Sequence, residues 1–121
     1  MTRTLVVLCA LAAGLSVASA QNTGPQNTQE LYGMCRNERN LANQGLCLGY
    51  VSGIGDMMTV LGIYNKQKQI KGLVPWSMCG QQSYGAMMQA FVNWAQAHPE
   101  AWSENQAYGV MRALHEKWPC S

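Results

Sequence analysis

The sequence predicts an all-α fold, a small bundle of four or five helices stapled by two disulfides. Three observations point there. Apolar residues recur at helical spacing in several segments, nothing alternates with the period of a strand, and four cysteines remain once an N-terminal leader is set aside.

The leader is MTRTLVVLCALAAGLSVASA. Arg3 gives a positive start, Leu5 to Val17 an apolar run, and Ala18-Ser19-Ala20 a small-residue cleavage site. Residues 1–20 therefore read as a secretory signal peptide, and residues 21–121 as a single domain. The run is too short to span a bilayer as an anchor, and Cys9 lacks the small residue expected before a lipidated cysteine. Without Arg3 the chain has seven basic and six acidic residues. That balance offers no attraction for nucleic acid and no anchor for a stable membrane insertion. The remaining cysteines are Cys35, Cys47, Cys79 and Cys120, an even number that reads as two disulfides in an exported domain.

Residues 21–28, QNTGPQNT, are polar and turn-rich. Thr28 is the expected cap of a first helix running to about Asn40, with Leu31, Tyr32, Met34 and Cys35 as a narrow apolar stripe. Asn43-Gln44-Gly45 then reads as a turn. From Gly45 to Tyr64 the sequence is GLCLGYVSGIGDMMTVLGIY, with Asp56 its one charge. Cys47, Tyr50, Val51, Ile54, Met58 and Leu61 line one helical face. Leu46, Leu48, Met57, Val60 and Ile63 extend over the others, so this helix is expected in the middle of the bundle. Gly49 and Gly53, four apart, are expected to admit a neighbouring element closely. Asp56 calls for a partner, with Arg112, Arg36 or Arg39 as candidates.

After Tyr64 come Lys66, Lys68 and Lys71, and Gly72 and Pro75 break regular structure. A long exposed connection over residues 65–79 is expected, about fifteen residues of the kind that often carry function. Lys66, Lys68 and Lys71 with Trp76 are the partner-binding candidates, because an aromatic beside such a loop is a common interface anchor. Ser83 reads as the cap of a third helix to about Ala97, with Tyr84, Met87, Met88, Phe91, Trp94 and Ala95 at helical spacing. His98-Pro99-Glu100 breaks it. A fourth helix runs from about Pro99 or Ala101 to Lys117, with Trp102, Ala107, Val110, Met111 and Leu114 inward, and Trp118-Pro119-Cys120 ends it. Antiparallel neighbours then favour Cys35–Cys47 across a short turn and Cys79–Cys120 at one end of a helical hairpin. Loop closure gives these about 3 and about 4 kcal/mol.

Catalytic chemistry has little to work with. Of the two histidines, His98 reads as a helix-end residue and His115 as a last-turn residue favourable to the helix dipole. Asp56 sits on a helix assigned to the core, and both disulfides consume the thiols a Cys-His site would need. No CxxC, HxxxH or carboxylate cluster suggests a metal, and the pairs Met57-Met58 and Met87-Met88 fit apolar helices better than copper ligation. No enzyme activity and no cofactor is expected.

The ordered set of a leader, Cys35, CLGYVSGIGDM from Cys47, Cys79, HPE at His98–Glu100 and WPC at Trp118–Cys120 resembles the Rap/Tai family of small exported immunity proteins associated with bacterial type VI secretion. Gly49, Tyr50, Gly53, Asp56, His98, Pro99 and Pro119 carry the likeness. Gly80-Gln81 departs from it, since the family often has a proline near there. The resemblance implies a periplasmic, helical homodimer that inhibits a peptidoglycan amidase toxin by occluding its Cys-His active site. The family's toxin contacts do not lie in these motifs, and none is carried over. Two other readings fit an exported helical bundle: a periplasmic chaperone or envelope-stress protein without an enzyme target, and a copper or haem carrier.

Overall fold

Asn27, not Thr28, caps the first helix. The computed structural model describes residues 24–68 and 76–120. The Asn27 side chain accepts from the Glu30 amide at 2.9 Å, and the Glu30 carboxylate accepts from the Gln26 amide at 2.8 Å, a reciprocal cap. That frees Thr28 to be buried: its hydroxyl lies 3.2 Å from the Glu104 carbonyl and 3.3 Å from that of Asn105.

Helix α1 spans Thr28–Cys35 and stops five residues short of the expected Asn40. The Cys35–Cys47 disulfide is the reason, since it holds the two Cα atoms 5.1 Å apart across a sequence separation of 12. The chain therefore reverses between the two cysteines, and it does so over residues 36–40, between the end of α1 and the start of the next helix at Leu41. Gln44 donates its side-chain amide to the Cys35 carbonyl at 2.8 Å, satisfying one of the carbonyls the helix end leaves free.

Helix α2 spans Leu41–Lys68, 28 residues and about 42 Å of helix. It runs straight through Asn43-Gln44-Gly45, where a turn was expected, because Asn40 already caps it by accepting from the Asn43 amide at 3.1 Å. It also continues past Tyr64, so residues 65–68 are helix and not connection.

Helix α3, Tyr84–Ala97, starts at the expected cap, with Ser83 Oγ accepting from the Ala86 amide at 3.2 Å. It ends at His98 before Pro99. The expected fourth helix is divided into a 3₁₀ turn, Pro99–Ala101, and helix α4, Gln106–Lys117, capped by Asn105. The interruption has a purpose. The carbonyls of Trp102 and Glu104 accept from the Gln29 and Thr28 amides at 3.0 and 2.9 Å, the free donors at the start of α1.

All three longer helices pack on one another and α1 touches each of them. Leu31, Val51, Met58, Met78, Met87, Phe91, Val110 and Leu114 form the centre, all fully or almost fully buried. The cysteines pair as the chain direction predicts, Cys35 with Cys47 and Cys79 with Cys120.

The main correction concerns α2. Cys47, Val51 and Met58 are buried and Tyr50 and Ile54 pack against them, but among the described residues nothing covers the opposite face. Val60 is 63% exposed and Ile63 53%, and Leu46, Leu48, Met57 and Tyr64 are exposed too. The other helices, of 8, 14 and 12 residues, lie on one side of it only. Gly49 and Gly53 face open space, with nothing within 4 Å of a Cβ built on either. Close approach occurs instead at Gly55, against Met87, and at Gly62, against Met78.

Candidate binding surface

The uncovered face of α2 leads into a cleft of about 800 Å³ between its C-terminal half and the segment Met78–Tyr84. Thr59, Val60, Ile63 and Lys66 form the helical wall, Cys79 to Ser83 the other, and Met78 and Met87 lie at its base. The second wall is extended chain. Met78 and Pro119 form an isolated antiparallel bridge, with the Cys79 amide donating to the Trp118 carbonyl at 3.1 Å. Gly80 has φ +83°, a left-handed conformation that side chains disfavour, and it turns the chain out of the disulfide.

Asp56 stands at one edge of the cleft without the arginine it was expected to need. It is exposed, and its carboxylate accepts from the Tyr84 hydroxyl at 3.1 Å. That hydrogen bond first, and the Asp56 charge second, push the Tyr84 phenol above its ordinary range, because both favour the neutral hydroxyl. Arg112 is engaged elsewhere: it pairs with Glu116 at 3.5 Å and lies over the rings of Trp94 and Tyr108 at 5.1 and 5.8 Å. Arg36 lies over Tyr32 at 5.2 Å.

Of the four residues proposed from the connection, the two whose side chains are described, Lys66 and Trp76, lie in different surroundings. Lys66 lines the cleft from α2, and Lys68 is the last residue of that helix. Lys71 lies outside the described residues. Trp76 is half-buried on the α4 side, edge-to-face with Tyr108 at 5.6 Å and with His115 at 5.5 Å. Ser77 and Met78, which also fell in the expected exposed connection, are buried.

Both histidines are used in the fold. His98 Nδ1 donates to the Trp94 carbonyl at 2.8 Å and its ring stacks on Trp94 at 4.6 Å. His115 Nδ1 donates to the Ser77 carbonyl at 2.8 Å, tethering the chain that leads to the cleft. Among the described residues no group of three His, Cys, Asp or Glu side chains could hold a metal ion. The sequence reading missed the cleft wall at Cys79–Ser83 and the bare face of α2. The second had a signal, because the helix carries more apolar residues than one buried face can use.

By length and composition alone, Leu41–Gln67 could also cross a membrane, but here Cys47, Val51 and Met58 commit it to a protein core. What remains is a disulfide-stapled helical domain that presents surface rather than reactive groups. The chain belongs to the Rap1a immunity proteins, the family whose model matches residues 27–120. Its general role is that of an immunity protein. No curated protein matches the chain, and no solved structure matches it.

Proposed function

We propose that this immunity protein acts in the periplasm, where it binds a peptidoglycan amidase toxin of type VI secretion and occludes its active site. In this reading residues 1–20 are a signal peptide removed on export, and residues 21–121 are the working domain. Family membership supports the general role, and the two disulfides suit an oxidising compartment.

The observation that carries the contact surface is the uncovered apolar face of α2 where it meets the cleft. Contiguous exposed apolar surface on a soluble domain marks an interaction site. Val60, Ile63, Met57 and Tyr64 provide it, with Lys66 and Asp56 at the margins to set orientation. The N-terminal part of the same face, around Leu46 and the open Gly49 and Gly53, supports pairing of two copies into a homodimer.

The test is inhibition of a Cys-His amidase encoded beside this gene. Co-purification and loss of peptide cross-bridge cleavage are expected at stoichiometric ratio, and an absence of binding at micromolar concentration would remove the proposal. The same bare apolar face also suits a chaperone for unfolded envelope proteins. That reading predicts protection of an aggregating client with no effect on the amidase.

A further inference from the structure

The cleft has a single covalent fastening. Apart from Ser83, whose carbonyl already belongs to the start of α3, the outer wall Cys79 to Ser83 and the Met78 before it make two backbone hydrogen bonds among the described residues, from Met78 to Met58 at 3.3 Å and from Cys79 to Trp118 at 3.1 Å. Both lie toward the long end of the usual range. The Cys79–Cys120 bond adds the covalent link, joining that wall to the residues just past α4.

The two disulfides differ in setting. Cys35 and Cys47 are 3% and 0% exposed inside the core, whereas Cys79 and Cys120 are both partly exposed. Reduction begins with attack of a thiolate on one sulfur, so access decides which bond is opened first.

We propose that Cys79–Cys120 is a redox fastening of the cleft: oxidised, the protein presents a formed binding cleft, and reduced, it keeps its helices but loses the outer wall. This rests on the reading of the cleft as the toxin-contacting site and assigns that site a regulation. A dithiol reductant supplies the chemistry. One of its thiolates attacks a protein sulfur to give a mixed disulfide, and its second thiolate displaces that sulfur. Two electrons and two protons pass to Cys79 and Cys120, which end as thiols, and the reductant closes as its own disulfide. The helices persist because Cys35–Cys47 stays closed and Phe91, Met87 and Leu114 hold the core without the wall. The consequence is an immunity protein that becomes competent only in an oxidising compartment.

The experiment treats the oxidised protein with limiting dithiothreitol, alkylates it with iodoacetamide and maps the labelled peptides. Amide exchange at Met78 and Cys79 and far-ultraviolet circular dichroism are followed on the same material. Cys79 and Cys120 are expected to be labelled before Cys35 and Cys47. The Met78 and Cys79 amides should then exchange at least about tenfold faster with helicity retained. A C79S/C120S variant should match the reduced state without reductant, and if it fails to fold the stepwise-reduced protein still decides the matter. Labelling of Cys35 and Cys47 first, or unchanged protection at Met78 and Cys79 after selective reduction, would overturn the proposal. Inhibition of the neighbouring-gene amidase separates the two readings. Should the oxidised protein not inhibit it, the immunity mechanism fails while the exchange data still judge the fastening. Equal inhibition by oxidised and reduced protein would overturn the regulation and leave the mechanism standing.

Discussion

Gly62 lies against the Met78 carbonyl so closely that a Cβ at position 62 would stand 2.5 Å from that oxygen and 3.3 Å from Cys120 Sγ. The obstacle is backbone, which cannot swing aside as a side chain can. Gly62→Ala is therefore expected to destabilise by about 1–3 kcal/mol through overpacking, outweighing the gain of about 1 kcal/mol in helix propensity. The midpoint of urea unfolding reads this directly. A midpoint equal to or above that of the unmodified protein would contradict the contact.

Gly49 and Gly53 should behave in the opposite way. With open space around each Cβ position, Gly49→Ala and Gly53→Ala are expected to stabilise the isolated fold by up to about 1 kcal/mol. The sequence alone had suggested a packed Gly53, where Gly53→Leu would lower stability. The measured sign of these substitutions distinguishes a glycine kept for packing from one on a free face. If that face joins two copies, Leu46→Glu should shift the protein to monomer in sedimentation equilibrium without loss of helicity.

Tyr84 and Asp56 tie α3 to α2 through one exposed hydrogen bond. Because the folded-state phenol is pushed up, the tie is fully present below the ordinary phenol value of about 10. It is lost as pH rises through the higher folded value. Spectroscopic titration should show one tyrosine ionising later than in Asp56→Asn, where it should return toward the ordinary range. Identical titration curves for the two proteins would show that the bond does not persist in solution.

Val60→Asp, Ile63→Asp and Lys66→Ala test the proposed toxin contact. Each exposed substitution should leave helicity intact and weaken inhibition of the amidase, the apolar pair by at least about tenfold, or about 1.4 kcal/mol. Trp76→Ala should act differently. With its ring between Tyr108 and His115, its loss is expected to cost about 1–3 kcal/mol of stability. A large binding defect in Trp76→Ala at unchanged stability would restore the connection as the contact surface.

Local signals in the sequence were read correctly where one residue type decides the matter. Ser83 caps α3, His98-Pro99 ends it, and the pairing of Cys35 with Cys47 and of Cys79 with Cys120 follows from chain direction. Errors arose where tertiary structure arbitrates between local alternatives. Asn27 and Thr28 can both cap a helix, and only burial of Thr28 against Gly109 selects Asn27. Periodicity identifies α2 as apolar but cannot say whether a fifth element exists to cover its second face. The cleft was illegible for a related reason. Its outer wall is irregular chain placed by Cys120 and Pro119, some forty residues away in sequence.

Among the four cysteines of the described residues, the two disulfides join neighbours in sequence, Cys35 to Cys47 and Cys79 to Cys120. If the chain is exported N-terminus first, as the proposed function has it, Cys35 and Cys47 emerge before either of the others. That order of emergence would favour the pairing of Cys35 with Cys47 and of Cys79 with Cys120. Connectivity of this kind would lessen the need for disulfide shuffling during folding.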